Sequence, residues 1–90
     1  MQVGKYYYWD KGNEVIFQVT KLTPTTQSNN EAHKLILKTK EYESEAKISK
    51  TLLVKDATPE QIEWVDRCIA LGVFAPKPEY VTTINDYSIF

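Results

Sequence analysis

The 90-residue sequence predicts a small α+β fold in one unit, residues 1–90. A twisted antiparallel β-sheet, or an open SH3-like or OB-like barrel, is closed by one amphipathic α-helix at about residues 59–71. Three observations predict this class. The first half alternates apolar and polar side chains with the period of two that marks half-buried strands. Turn-forming residues, Asp10, Gly12 and Asn13 among them, punctuate that half. After Ala57 the period lengthens to that of a helix, behind a strong start signal.

Residues 3–9 are rich in β-formers, and residues 10–13 supply the turn of a hairpin. Across residues 14–22, Val15, Phe17 and Val19 share one face and Glu14, Gln18 and Thr20 the other. Ile16 breaks that alternation, which calls for cover on both faces of the strand. Residues 23–30 are polar and aperiodic, an exposed loop by composition. His33, Leu35, Leu37 and Thr39 alternate with Lys34, Ile36, Lys38 and Lys40 in a third strand, which an acidic turn at residues 41–45 ends. A fourth strand sets Ala46, Ile48, Leu52 and Val54 on one face and Lys47, Ser49, Thr51 and Lys55 on the other, with Lys50 out of pattern.

The helix begins where Thr58 caps, Pro59 takes the first helical position and Gln61 completes a capping box. Ala57 and Ile62 stand at the two positions of a hydrophobic staple. Ile62, Val65 and Ile69 form one apolar stripe and Trp64, Cys68 and Leu71 an adjoining one, a face wide enough for a sheet to cover. Gly72 ends the helix, and Glu60, Glu63, Asp66 and Arg67 are left outside. Pro76 and Pro78 bracket an extended turn, followed by a short strand at residues 80–84 and another at 87–90.

Composition excludes several function classes. Apolar content of 42% with eleven aromatic residues opposes disorder. No apolar run reaches the length of about 18 residues that a membrane helix needs, and the first ten residues lack the pattern of a secretory signal. The lone Cys68 cannot form an internal disulfide and reads as a small buried apolar residue in a reducing, cytoplasmic setting. One histidine and one cysteine cannot assemble a metal site. His33, a strand-end surface residue on this reading, has no nucleophile motif beside it, and the three glycines are too scattered to cradle a phosphate. The sequence therefore offers no catalytic residue, cofactor or metal, and the chain reads as a non-enzyme.

Binding surfaces stand out more. In the run Tyr6-Tyr7-Tyr8-Trp9, alternation sends Tyr7 and Trp9 to one face and Tyr6 and Tyr8 to the other, and a domain this small struggles to bury both pairs. Lys34, Lys38, Lys40, Lys47 and Lys55 form a row that the strand pattern assigns to one sheet face. Residues 32–55 carry a surplus of three positive charges and residues 56–90 a deficit of four, the acidic helix face of Glu60, Glu63 and Asp66 contributing to the latter. Ten lysines against a single arginine weigh against sequence-specific nucleic-acid recognition.

Residues 57–64, Ala-Thr-Pro-Glu-Gln-Ile-Glu-Trp, continue through Cys68, Ile69, Gly72, Phe74 and Pro76. This stretch resembles the tail of many short bacteriophage and mobile-element proteins, in which a small β-rich part precedes an A-T-P-E-x-I-x-W helix and a G-x-F-x-P exit. The resemblance spans about twenty residues and transfers no catalytic or binding residue. It implies a context in which compact proteins bind and block host factors.

The expected function is that of a non-enzymatic protein-binding module, a phage-encoded inhibitor of a host defence or nucleic-acid-processing factor, with a host protein as partner. Two alternatives stand beside it: a single-stranded nucleic-acid or nucleotide-ligand binding protein built on Tyr6, Tyr8 and the lysines, and a structural adaptor of phage type. No membrane partner is expected, and a homodimer stays open, because a fold this small buries only about 60–65% of its unfolded surface.

Overall fold

The computed structural model describes residues 1–25 and 29–78. The strands expected at residues 80–84 and 87–90 lie outside them. Five strands precede one helix: β1 (Tyr6–Trp9), β2 (Val15–Lys21), β3 (Asn30–Ile36), β4 (Glu41–Ile48), β5 (Lys55–Asp56) and α1 (Pro59–Leu71). The strands pair in the order β4-β3-β2-β1-β5, each antiparallel to its neighbours, in an open sheet with β4 and β5 at its edges. Among the described residues the architecture is thus α+β, an open antiparallel sheet with one helix.

Strand β2 explains why the sheet is central to the fold. Ile16 and Phe17 are adjacent, point to opposite faces and are both fully buried. On one face Phe17 joins Tyr7, Val15, Val19, Ala32 and Ile48, under cover from Met1, Trp9, Ile36, Leu52 and Val54. On the other, Ile16 and Leu35 meet Val65 and Cys68 of α1 together with Ala75. Cover on both faces, expected from Ile16 alone, is therefore what the chain supplies. At about 1.5–3 kcal/mol for each large apolar side chain removed from water, these two layers are the main stabilising term.

The helix forms where its signals stand. Thr58 accepts a hydrogen bond from the Gln61 backbone N–H at 3.2 Å, and the Gln61 side chain accepts from the Thr58 N–H at 2.9 Å. Gly72 closes the helix at φ 74°, with its N–H on the Cys68 carbonyl. Val65 and Cys68 are buried, whereas Leu71 of the expected apolar stripe is 62% exposed. The chain leaves the helix at Gly72 and turns back so that Ala75 meets Cys68, with Leu71 left on the exposed side.

Three expectations require correction. Residues 41–45 are not a turn but the start of β4, where Glu43 faces Lys34 and Glu41 faces Ile36 across the ladder. The turn is residues 37–40, and β3 begins at Asn30, inside what reads as loop. The long fourth strand is interrupted: after Ile48 a turn closes from the Leu52 N–H to the Ser49 carbonyl, and the chain crosses to the far edge of the sheet to form β5 beside β1. Lys50, out of pattern in the sequence, marks that break, and its ammonium donates to the carbonyls of Thr23 and Thr25.

Candidate binding groove

The first strand places its aromatic rings as alternation predicts, with Tyr7 buried against Phe17 at 5.6 Å between ring centroids. Tyr6 and Tyr8, on the helix side, are half-buried against the second core layer and are not free stacking platforms. The Tyr6 hydroxyl donates to the Asp66 carboxylate on α1, and the Tyr8 hydroxyl donates to Glu14 at 3.1 Å. Burial, and then the bond and charge of Asp66, push the Tyr6 hydroxyl up to about 12. Both tyrosines therefore tie structure together. Asp66, part of the expected acidic face, is engaged in the same link, Glu63 is exposed, and Glu60 stands at the helix start beside Gln61.

The five lysines do not form one row. Lys34 lies on the Phe17 face, paired with Glu43 at 3.9 Å, and Lys47 lies on the opposite face, paired with Glu31 at 3.5 Å. The reason is a β-bulge: between the pairs Ala32–Ala46 and Lys34–Glu43, β4 carries one residue more than β3, which reverses its alternation. Lys55 sits on β5 at the other edge of the sheet, 2.7 Å from Asp10. That contact raises the Lys55 ammonium and lowers the Asp10 carboxyl relative to their ordinary values. Lys38 and Lys40 belong to the β3–β4 turn.

Lys40 of that turn borders a hollow that the alternation of the strands does not announce. Leu37, Lys40, Trp64, Phe74, Pro76 and Lys77 line a groove of about 440 Å³ between the β3–β4 turn, α1 and the segment that leaves it. An adjoining hollow of about 280 Å³ shares Leu37, Trp64 and Lys77 and reaches Thr58, Glu60 and Gln61 at the helix start. The walls are fixed. The Trp64 indole donates to the Ala75 carbonyl at 2.7 Å, the Ala75 N–H donates to the Cys68 sulfur at 3.2 Å, and the Phe74 ring meets Trp64 edge-on at 5.9 Å. On the other wall, the Leu37 N–H donates to the Glu14 carbonyl at 3.0 Å and the Lys38 N–H to the Asn13 carbonyl at 3.3 Å.

Two lysines without an ion pair stand at the same place. Lys5, Lys21, Lys34, Lys47 and Lys55 each face a carboxylate, and Lys50 is held by carbonyls. Among the described residues, Lys11, Lys38, Lys40 and Lys77 make no ion pair, and of these four Lys40 and Lys77 line the groove itself. Lys40 also holds φ at 58°, in the left-handed region that disfavours a lysine by about 1–2 kcal/mol. Glu14 is similarly strained at φ 52°, but its carbonyl and carboxylate anchor Leu37 and Tyr8. Lys40 is the last residue of the four-residue β3–β4 turn, where a left-handed residue returns the chain to the Ile36–Glu41 pair.

Other candidates are structural. His33 is not at a strand end but within β3, bonded at 2.9 Å to the Tyr42 hydroxyl and stacked on that ring. The Cys68 thiol is fully buried and pushed up by that burial, unlike a reactive thiolate. The described residues contain no cluster of ligating side chains able to hold a metal and no helix long and apolar enough to cross a membrane.

No protein-family model, curated protein or solved structure matches this chain. The groove must therefore be read on its own chemistry. The signal for it in the sequence was the G-x-F-x-P exit, whose Phe74 and Pro76 turn out to be groove walls.

Proposed function

We propose that this chain is a non-enzymatic protein-binding module that engages its partner through the groove between the β3–β4 turn and α1. The observation that carries this reading is the coincidence of an apolar floor, Leu37, Trp64, Phe74 and Pro76, with Lys40 and Lys77, which make no ion pair among the described residues. Exposed apolar surface rimmed by polar groups is the ordinary anatomy of a protein interface. The partner is a host protein presenting a negatively charged segment. The likeness of residues 57–76 to mobile-element proteins supports inhibition of a host defence or nucleic-acid-processing factor as the outcome of that binding. A cytoplasmic location accords with the free, buried Cys68.

Nucleic-acid binding is the weaker reading, because Tyr6 and Tyr8 are occupied by Asp66 and Glu14 and three of the five lysines invoked for it are ion-paired. Recovery of tagged protein from bacterial lysate, with and without nuclease and at low and high salt, tests the choice. A stoichiometric protein that survives nuclease, rebinds when purified and is lost with K40E/K77E supports the proposal. Nuclease-sensitive recovery of nucleic acid alone overturns it.

A further inference from the structure

Resting on that reading of the groove, the geometry points to its occupant: a short peptide segment with one apolar anchor, of leucine or phenylalanine size, flanked by at least two carboxylates. The floor sets the anchor. Leu37, Phe74 and Pro76 offer no side-chain hydrogen-bonding group, and the Trp64 N–H is already committed to the Ala75 carbonyl. A polar anchor would lose its water there without gaining a partner, whereas an apolar one loses nothing by leaving water. A volume of about 440 Å³ accommodates one or two side chains and not a folded element.

The rim sets the flanks. Lys40 stands on the turn wall and Lys77 on the exit wall, with Lys38 two residues before Lys40 on the same turn. Carboxylates on either side of an anchor meet these ammonium groups from both walls. Nucleic acid fits less well, since lysine rather than arginine lines the rim and the Trp64 and Phe74 rings pack on each other. The strained backbone of Lys40 agrees with a functional demand at that position, because glycine would adopt φ 58° freely and the sequence nevertheless retains a cation.

The test is selection of random decapeptides displayed on a surface against the full chain, K40E/K77E, and the charge-matched control K5E/K21E. The expected result is enrichment of Asp or Glu beside a single apolar residue for the wild type and the control, absent for K40E/K77E. A synthetic peptide carrying the enriched pattern should lose at least tenfold in affinity against K40E/K77E, and severalfold between 50 and 300 mM salt, on the order expected for partly exposed charge pairs. K40G separates binding from folding: its urea midpoint should stay or rise, since the backbone strain is relieved, while affinity for the peptide falls. Enriched peptides without acidic bias, equal enrichment by K40E/K77E, or no enrichment overturn the assignment. So does an oligothymidylate probe that binds the chain more tightly than the selected peptide through the same lysines. Should a lysate partner still be captured by K40E/K77E, the protein-binding reading survives at another surface and the groove assignment alone fails.

Discussion

The Tyr6 hydroxyl on β1 donates to the Asp66 carboxylate on α1, joining residues sixty positions apart and fixing the helix across the sheet. The link acts with the apolar contacts of Val65 and Cys68, since dispersion and burial set how close the helix lies but not how it is turned. A directed bond at the helix midpoint supplies that orientation.

Its removal has a pH signature. The Tyr6 hydroxyl is raised from 10.0 to about 12 in the folded chain, so the folded state holds this proton more tightly than the unfolded state does. The stabilisation is fully present below pH 10 and is lost as pH rises through 12. Y6F should cost about 0.5–1.5 kcal/mol at neutral pH, the usual net worth of a partly exposed hydrogen bond. Urea denaturation at pH 7, 10 and 11.5 measures both, and the deficit of Y6F relative to wild type should shrink towards the alkaline end.

Thr58 and Gly72 bound the helix and test it from both ends. T58A removes the oxygen that accepts the Gln61 N–H and should lower stability by about 1 kcal/mol. G72A places a Cβ at φ 74° and should cost about 1–2 kcal/mol, although nothing lies within 4 Å of that Cβ. The penalty is therefore backbone strain and not a clash. Circular dichroism during thermal unfolding measures both variants, and losses that add in the double variant show that the two caps act independently.

The Trp64–Ala75 bond predicts a local effect. W64F keeps a ring against Phe74 but removes the N–H donor, leaving the Ala75 carbonyl short of a partner. Native-state hydrogen exchange at the Ala75 amide, which donates to Cys68, should accelerate more than tenfold while amides of β2 change only in proportion to global stability. Equal acceleration everywhere would show instead that the exit segment and the sheet open together.

Cys68 should resist thiol reagents in the folded chain. Its sulfur is fully buried, accepts from the Ala75 N–H and is pushed away from the thiolate by burial. Reaction with a disulfide reagent at pH 8 should be at least a hundredfold slower without denaturant than in 6 M guanidinium. Rapid labelling of native protein would contradict the buried placement.

The helix was legible because its determinants are local: a cap, a proline, a capping-box glutamine and a terminal glycine lie within fifteen residues and need no distant partner. The alternation of Tyr6 to Trp9 was legible for the same reason. The extent of β4 was not, since Glu41, Glu43 and Glu45 look like a solvated turn until Lys34 is placed opposite Glu43, and an edge strand tolerates such charges. The lysine row failed through a single extra residue at the β3–β4 bulge, an event that no periodicity announces. The groove was half legible. Lys40 stood out as a cation, but Phe74, Pro76 and Lys77 join it only because the chain folds back over Cys68.

The two backbone bonds at the base of the β3–β4 turn, from Leu37 to Glu14 and from Lys38 to Asn13, have a kinetic consequence. They hold the main chain of the turn, so on this chain's side the proposed binding would freeze only lysine side chains, at about 0.5–1.5 kcal/mol each. The proposed association would then need no folding step of this chain, and its rate would be set by long-range attraction and fall with ionic strength. Under that proposal, what distinguishes one partner from another is how long it stays, and the apolar anchor would govern that residence time.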